Sequence, residues 1–518
     1  MARYESDVLV IGGGMAATWA AIGAAREGAK VLLVDKGFVG TSGVTATAGP
    51  GHWFFAPEKR AAAIAQREAI AHGLADRRWM ERVLDQTFRT LPTLEGNYEF
   101  GINDQGVKLY GPVRGPEYLR ALRQLCEQLG VRILDQSPAL ELLLHTDGSA
   151  AGARGLRRQL DEPYEARADG VILATGGCAF FSRLLGSRTN TGDGYLMAAE
   201  AGVPLSGMEF SNQYVIAPAF STMARTMSYA WANYYDAEGR VLEIRAGEGT
   251  RELARELLRG PVYCDFQRMP EDIRARLPQI SPNVMIPFRR RNIDPFRDRF
   301  PVTLLAEGTI RGMGGVQIAD EDCQTIVPGL YAAGDAASRE LVTGASSGGG
   351  AVNSAWALSS GTWSGQAAAR RARALGRRGE RPVEAIGEAG LRPRRARAEL
   401  NTDDLIARTQ QEATHYDKNL FRRGPTLARA LGVLDGLWRE VRDHLQDDNA
   451  VRSRETAAMI ASARFSYHAA LHRQESRGMH KREDVSGERA EYGARQTLYG
   501  LDHIRGSFDH LRVLEEAV

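Results

Sequence analysis

Asp7–Ile11 is a short aliphatic run broken by Gly12-Gly13-Gly14, and Met15 to Glu27 follows as an Ala-rich stretch with helical spacing. Strand character resumes over Lys30–Asp35, so the opening of the chain predicts a βαβ unit. Two later apolar runs have the same shape. Gly170–Ala174 ends in Thr175-Gly176-Gly177, and Gly329–Ala333 ends in Gly334-Asp335. Three apolar strands finishing in glycine-bearing turns predict one parallel sheet with a ligand at the strands' C-terminal ends.

Between 208 and 325 this rhythm stops and the composition shifts to aromatic residues, Arg and Pro, which predicts an inserted domain. Residues 367–400 carry ten Arg, several Gly and scattered Pro, a composition that reads as a solvated connector. Beyond it Leu427, Leu431, Leu434, Trp438, Val441 and Leu445 recur every three or four positions, and Thr456–Arg473 repeats the habit. Residues 400–475 therefore predict a small helical bundle packed as an antiparallel pair. The expected fold is α/β: a Rossmann-type dinucleotide-binding domain (1–207 and 326–370), an α+β capping domain inserted at 208–325, and a C-terminal helical domain with a tail (371–518).

Length and charge narrow the function. At 518 residues, 43% hydrophobic and 25% charged, the chain has the composition of a folded globular protein of several domains. A formal charge of +2 creates no global field for nucleic acid or a membrane surface. Cys126, Cys178, Cys264 and Cys323 are far apart and form no CxxC pair, so neither a disulfide framework nor a zinc or iron–sulfur ligand set is expected. No secretory leader or apolar run of spanning length is evident, and a cytoplasmic location without direct membrane insertion is the expectation.

Gly12, Gly14 and Ala17 fit G-x-G-x-x-(G/A) between a strand and a helix, with Asp35 closing the second strand. Gly12 permits the tight turn, Gly14 lets the backbone approach a pyrophosphate, and Ala17 allows close packing. The helix N-terminus offers amides to phosphates, and Asp35 can accept ribose hydroxyls.

Together with Ala174–Gly177 and Leu330–Asp335, the segments Thr189–Gly194, Met208-Glu209-Phe210, Met313–Val316 and Glu475–His480 resemble the fumarate reductase / succinate dehydrogenase flavoprotein family, whose relatives include L-aspartate oxidase and the adenylylsulfate reductase flavoprotein. The resemblance runs from about residue 5 to 485. It implies FAD under a mobile cap and hydride exchange at flavin N5. The cofactor contacts it implies are Gly12, Gly14, Met15, Ala16, Asp35, Lys36, Thr41, Ser42, Gly43, Thr45, Ala48, Gly49, Ala139, Ala174, Thr175, Gly176, Asp193, Gly334, Asp335, Ser347, Ala351 and Val352. In membrane-bound members a His in the loop beneath the flavin carries the cofactor covalently; here Gly43 or Val44 takes its place, so non-covalent FAD is expected. His52 follows several positions later and reads as a wall or core residue.

The resemblance also assigns catalytic positions. Arg251, in Thr250-Arg251-Glu252, matches the proton-transferring arginine, and Arg225 matches the arginine of the relay, whose acidic member is here Thr222. By its own chemistry Arg251 is a guanidinium that stays protonated, hence an anion clamp, or a surface partner of a neighbouring carboxylate. The family's two substrate histidines fall at Tyr214 and Ile310, and its carboxylate-binding arginine at Ser346 or Ser347. Succinate and fumarate are therefore not expected as substrates. Trp53, Phe54, Phe55, Tyr214, Tyr229, Trp231, Tyr234 and Tyr235 are candidates for an aromatic pocket or for cap packing, with Tyr214 singled out because it stands at a histidine position.

Three readings follow: an FAD-dependent oxidoreductase of a small organic substrate, the flavin subunit of an adenylylsulfate-reductase-like two-component enzyme, and a non-catalytic electron-transfer or assembly subunit. The segment Gly260-Pro261-Val262-Tyr263 resembles one found in the adenylylsulfate reductase branch, which implies a ferredoxin-like iron–sulfur partner. Arg289-Arg290-Arg291 suits an anionic substrate, an acidic partner, or a solvated loop. No metal ligand set is expected, and the oligomeric state stays open.

Overall fold

A computed structural model of the chain describes residues 1–223, 227–244, 249–280, 282–376, 381–398 and 400–509. Arg225 lies outside the described residues. The central sheet has five parallel strands in the order Leu330–Ala332, Gly170–Leu173, Val8–Ile11, Val31–Val34 and Arg132–Leu134. Ile11 pairs with both Val34 and Leu173, and Leu173 with Ala332. All four residues of Val8–Ile11, of Val31–Val34 and of Gly170–Leu173 are buried, as strands covered on both faces must be. The three predicted strands thus stand side by side, and their glycine turns meet at one edge.

Two helices fix that edge. Met15–Arg26 follows the first turn, and Gly349–Leu375 lies along it. The contact is backbone to backbone: a Cβ at Gly361 or Gly365 would collide with the carbonyl of Ala16 or Ala20. Gly12 has φ +127°, and a Cβ there would strike the Ala174 carbonyl, so only glycine fits this turn.

Flanking the parallel sheet is a second one, ordered Ala2–Glu5, Glu162–Arg167, Ala150–Arg157, Ala139–His145 and Val383–Ala385. Within the interval 208–325 the chain forms its own sheet, ordered Gln213–Pro218, Phe300–Gly308, Val262–Asp265, Asn233–Tyr235 and Val241–Leu242. Phe266, Phe288, Phe300, Leu253 and Val262 make a separate apolar core there.

The connector differs from expectation. Gly349–Leu375 is a single 27-residue helix that runs through the expected boundary at 370/371, because Ala367, Ala368, Ala369 and Ala372 are buried beneath the Arg-rich face. Val383–Ala385 then pairs with Ala139–His145 instead of remaining solvated. The helical region contains Thr402–Ala413, Gly424–His444 and Ala450–His472, a layer of three helices and not a lone pair. Leu427, Leu434, Leu437, Trp438 and Val441 are buried, each side chain contributing about 1.5–3 kcal/mol. After it Arg495–Tyr499 and Arg505–Asp509 form a hairpin that joins Leu205–Ser206 and Gly315–Val316.

Candidate active site

A cavity opens at the C-terminal edge of the parallel sheet. It is lined by eighteen of the twenty-two expected cofactor positions: Gly12, Gly14, Met15, Ala16, Asp35, Lys36, Ser42, Gly43, Thr45, Ala48, Gly49, Ala139, Ala174, Thr175, Gly176, Asp193, Gly334 and Asp335. The other four support its wall. Thr41 is exposed and donates to the Phe38 carbonyl. The carbonyl of Ser347 accepts from Arg67 at 2.9 Å, that of Ala351 accepts from the Trp53 amide at 3.0 Å, and Val352 is buried.

Asp35, at the end of the second motif strand, is the residue that would hold the adenosine ribose. Its carboxylate is buried and accepts from the Ser42 hydroxyl. Burial raises its pKa, against the opposing effects of Ser42, the Gly37 amide and Lys36. Lys36 lines the cavity, yet its ammonium donates to Thr191 (2.5 Å), Asp193 (2.6 Å) and Glu455 (3.1 Å). All three of its hydrogens are spent inside the protein, so it braces the wall and the helix Ala450–His472.

Gly14 caps the helix Met15–Arg26, and a Cβ there would meet nothing within 4 Å. The helix's first amides therefore face open cavity, the cradle a pyrophosphate needs. Gly349 and Gly350, at the start of the long helix, line the cavity with equally open space. Asn190 and Asn353 also line it, and the Oδ1 of each is buried without a hydrogen-bond partner in the protein. A glycine cradle, a ribose-binding carboxylate and orphaned amide oxygens together fit FAD.

On the far side of Gly12 from Asp35, Arg339 organises the floor. It is fully buried, pairs with Asp335 and donates to the carbonyls of Thr309 (3.1 Å), Ile310 (2.6 Å) and Gly312. Ile310 and Arg311 on that clamped segment line the cavity. Neither Arg311 nor Arg339 was among the expected site residues; Arg311 directly follows a position where the family resemblance registers only a lost histidine. Asn190 lies inside the Thr189–Gly194 motif and was legible there.

The catalytic candidates stand elsewhere. Arg251, in the helix Gly249–Arg259, donates to the Leu420 carbonyl at 2.6 Å and pairs with Glu483, with its guanidinium 4.9 Å from the Phe421 ring centroid. It bridges the cap sheet's helix to the helical layer and does not line the cavity. Tyr214 is 2% exposed, edge-on to Tyr416 at 6.3 Å in the cap's apolar core. The other aromatic candidates are likewise absent from the lining: Trp53, Tyr234 and Tyr235 are buried, Phe54 stacks on Phe88, and Tyr229 packs on Phe266. No histidine is among the described lining residues. His52 is buried with Nδ1 3.3 Å from the Gly111 carbonyl, and burial lowers its pKa to about 4. Among the described residues no cluster of His, Cys, Asp or Glu could hold a metal ion, and no helix is long and apolar enough to cross a membrane.

Comparison with known proteins gives the same cofactor. The family described as FAD binding domain matches residues 7–352, and the fumarate reductase flavoprotein C-terminal family matches 408–506. One subunit of the fumarate reductase (CoM/CoB) of Methanothermobacter marburgensis is 26% identical, with 94% of this chain and 96% of that protein covered. L-aspartate oxidase of Mycobacterium bovis is 27% identical over 93% of this chain and 92% of its own length. The fold matches FrdA of E. coli quinol fumarate reductase with a TM-score of 0.82 at 20% identity, covering 100% and 99% of the two chains. An adenosine-5-phosphosulfate reductase shares the fold alone, at TM-score 0.75 and 17% identity over 100% and 97%. This chain therefore belongs to the fumarate reductase / succinate dehydrogenase flavoprotein family and is an FAD-dependent oxidoreductase.

Proposed function

We propose that the enzyme oxidises or reduces a small organic acid that is neither succinate nor fumarate. The observation that carries this reading is the chemistry at the positions where the family resemblance expects carboxylate-binding groups. Tyr214 is buried in the cap core, and Ile310 presents an aliphatic side chain to the cavity. Ser346 and Ser347 give their carbonyls to Arg67, which is itself buried and whose pKa burial lowers to about 10. Two imidazoles and a guanidinium are thereby replaced, with the loss of several charge-assisted hydrogen bonds of about 1.5–3 kcal/mol each.

FAD, when bound, supplies a two-electron acceptor or donor of hydride. The protein's own part is positional. Asp35 and the amides after Gly14 hold the nucleotide end, Lys36 and Asp193 brace the wall, and Arg339 clamps the floor under the reacting end. Arg251 is proposed as the latch between cap and helical layer, since its guanidinium is committed to Glu483 and the Leu420 carbonyl. A partner chain that exchanges electrons with the flavin belongs to the same proposal, supported by the methanogen relative's being one subunit of a larger enzyme.

The test is anaerobic titration of the purified flavoprotein with succinate, aspartate, sulfite plus AMP, and larger hydroxy, amino and aromatic acids, following bleaching of the oxidised flavin. Bleaching by one of the larger acids and none by succinate is the expected result. Saturable fumarate reduction by the chemically reduced protein would overturn it.

A further inference from the structure

We propose that Arg311 anchors the single anionic group of the substrate, which makes the ligand class an organic monoanion with an otherwise apolar body. This inference rests on the oxidoreductase reading above and narrows its substrate.

Among the described residues, the charged ones lining the cavity are Asp35, Lys36, Asp193, Arg311 and Asp335. Four are engaged within the protein: Asp35 by Ser42, Lys36 and Asp193 by each other, and Asp335 by Arg339. Arg311 differs. Among the described residues its ion pair is with Glu307 at 3.7 Å, beyond hydrogen-bond length, and its side chain stays 31% exposed. A guanidinium remains charged at every working pH and presents a planar fork of donors, the geometry that a carboxylate or sulfonate accepts bidentately.

The backbone that carries it is rigid. Arg339 takes the carbonyls of Thr309, Ile310 and Gly312, and the Met313 amide donates to the Phe210 carbonyl at 3.2 Å. Gly312 has no room for a side chain, since a Cβ there would lie 3.1 Å from the Ser211 Cα and closer still to the Phe210 carbonyl. A cation on a fixed support is pre-organised for binding. The segment carrying Arg311 is held by the Cys178 amide, just after Gly170–Leu173, and by Arg339, which pairs with Asp335 just after Leu330–Ala332, whereas Asp35 follows Val31–Val34 on the other side of Val8–Ile11. The cation is thus separated from the ribose end.

The rest of the lining limits the ligand's charge. Ile310, next to Arg311 in the chain, and Pro50 and Gly51 elsewhere on the wall offer none. One anionic group meets Arg311, and among the described lining residues a second carboxylate would find no cation left for it, since Lys36 is paired with Asp193 and Glu455.

The FAD-loaded protein is titrated with benzoate and, as the neutral isostere, benzamide, following perturbation of the visible flavin spectrum and the heat of binding. The same titrations are run on R311Q and R311K, with the FAD-to-protein ratio of each variant measured first. Benzoate is expected to bind saturably and benzamide on the order of tenfold or more weaker. R311Q should weaken benzoate by roughly 10- to 100-fold at unchanged FAD content, with R311K intermediate. Equal binding of benzoate and benzamide, absence of benzoate binding, or unchanged benzoate affinity in R311Q would each overturn the proposal. Loss of FAD from R311Q would also overturn it, by making Arg311 a cofactor-holding residue. No flavin reduction is read, so Arg311-dependent benzoate binding in a protein that exchanges electrons with no organic acid would sink the proposed substrate class and leave the anion site standing.

Discussion

Arg251 and Glu483, separated by 232 positions in sequence, form an ion pair that ties the helix Gly249–Arg259 to the C-terminal region. The same guanidinium donates to Leu420 and lies against Phe421, as does that of Arg255. The residue whose sequence context implies proton transfer makes these contacts away from the cavity lining. Cap and helical layer are coupled by a charged contact that salt weakens, because its partners are about one-fifth exposed.

Arg251→Ala should lower stability by about 1–2 kcal/mol, the range for a partly exposed charge-assisted contact. E483Q should lose less than R251A, and the double variant should be less than additive. FAD content is expected to stay at the wild-type ratio, and the pH dependence of turnover to keep its shape. A fall in kcat of more than a hundredfold with FAD retained would instead restore Arg251 to proton transfer.

Gly12 and Gly14 separate folding from cofactor binding. A Cβ at Gly12 collides with the Ala174 carbonyl at φ +127°, whereas at Gly14 it enters open cavity. G12A should therefore be destabilised, by at least about 2 kcal/mol, whether or not FAD is present. G14V should fold with a melting temperature close to that of the wild-type apoprotein and carry little FAD. Thermal unfolding of apoprotein and holoprotein reads both outcomes. A G14V protein with a full complement of FAD would place the pyrophosphate elsewhere.

The dinucleotide cradle was legible because it depends on backbone. Gly12, Gly176 and Gly334 mark turns at positive φ, where backbone geometry favours glycine, and the strands before them are unbroken aliphatic runs. Side chains whose partners are distant in sequence were not legible. Nothing near Arg339 announces that it will bind three carbonyls some thirty residues back, and nothing near Lys36 names Glu455. The Arg-rich stretch after Ala367 hid a helix end because Arg370, Arg371 and Arg373 are interspersed with the buried Ala367, Ala368, Ala369 and Ala372.

Lys36 holds two carboxylates together from opposite halves of the chain, Asp193 and Glu455, at an average side-chain exposure under one-fifth. Burial opposes its charge, and the attraction of Asp193 and Glu455 outweighs it, so its pKa is raised above 10.5. A raised lysine pKa contributes stability that is fully present below the unfolded-state value and is lost as pH rises through the folded one. The cluster should thus be insensitive to pH across neutrality and fail only in alkali. K36M leaves the two carboxylates facing each other without their cation and should cost about 3–5 kcal/mol. FAD retention should fall with it, since Asp193 lines the cavity. A K36M protein melting within about 1 °C of wild type would show that the pair contributes nothing net.

Glu340 is the group most able to make stability depend on pH near neutrality. Its side chain is buried, accepts from Ser206 and from Ser338 at 3.2 Å, and has one oxygen without a hydrogen-bond partner among the described residues. Glu209 faces it, itself held by Arg473 at 2.7 Å, and Arg495 lies near enough to oppose the shift. Burial first, and the charge of Glu209 second, push the Glu340 pKa up to about 7. When the folded pKa of a carboxyl lies above its unfolded value, the unfolded chain releases its proton first, and stability falls as pH rises between the two. Glu340 should therefore lower the urea midpoint between about pH 5 and about pH 7.5, against the opposite slope of buried histidines such as His52, so the slope is read as the difference between wild type and E340Q. In E340Q, which keeps the shape and cannot ionise, that lowering should disappear while the midpoint at pH 8 rises above wild type. Equal slopes in the two proteins would assign the titration to another group.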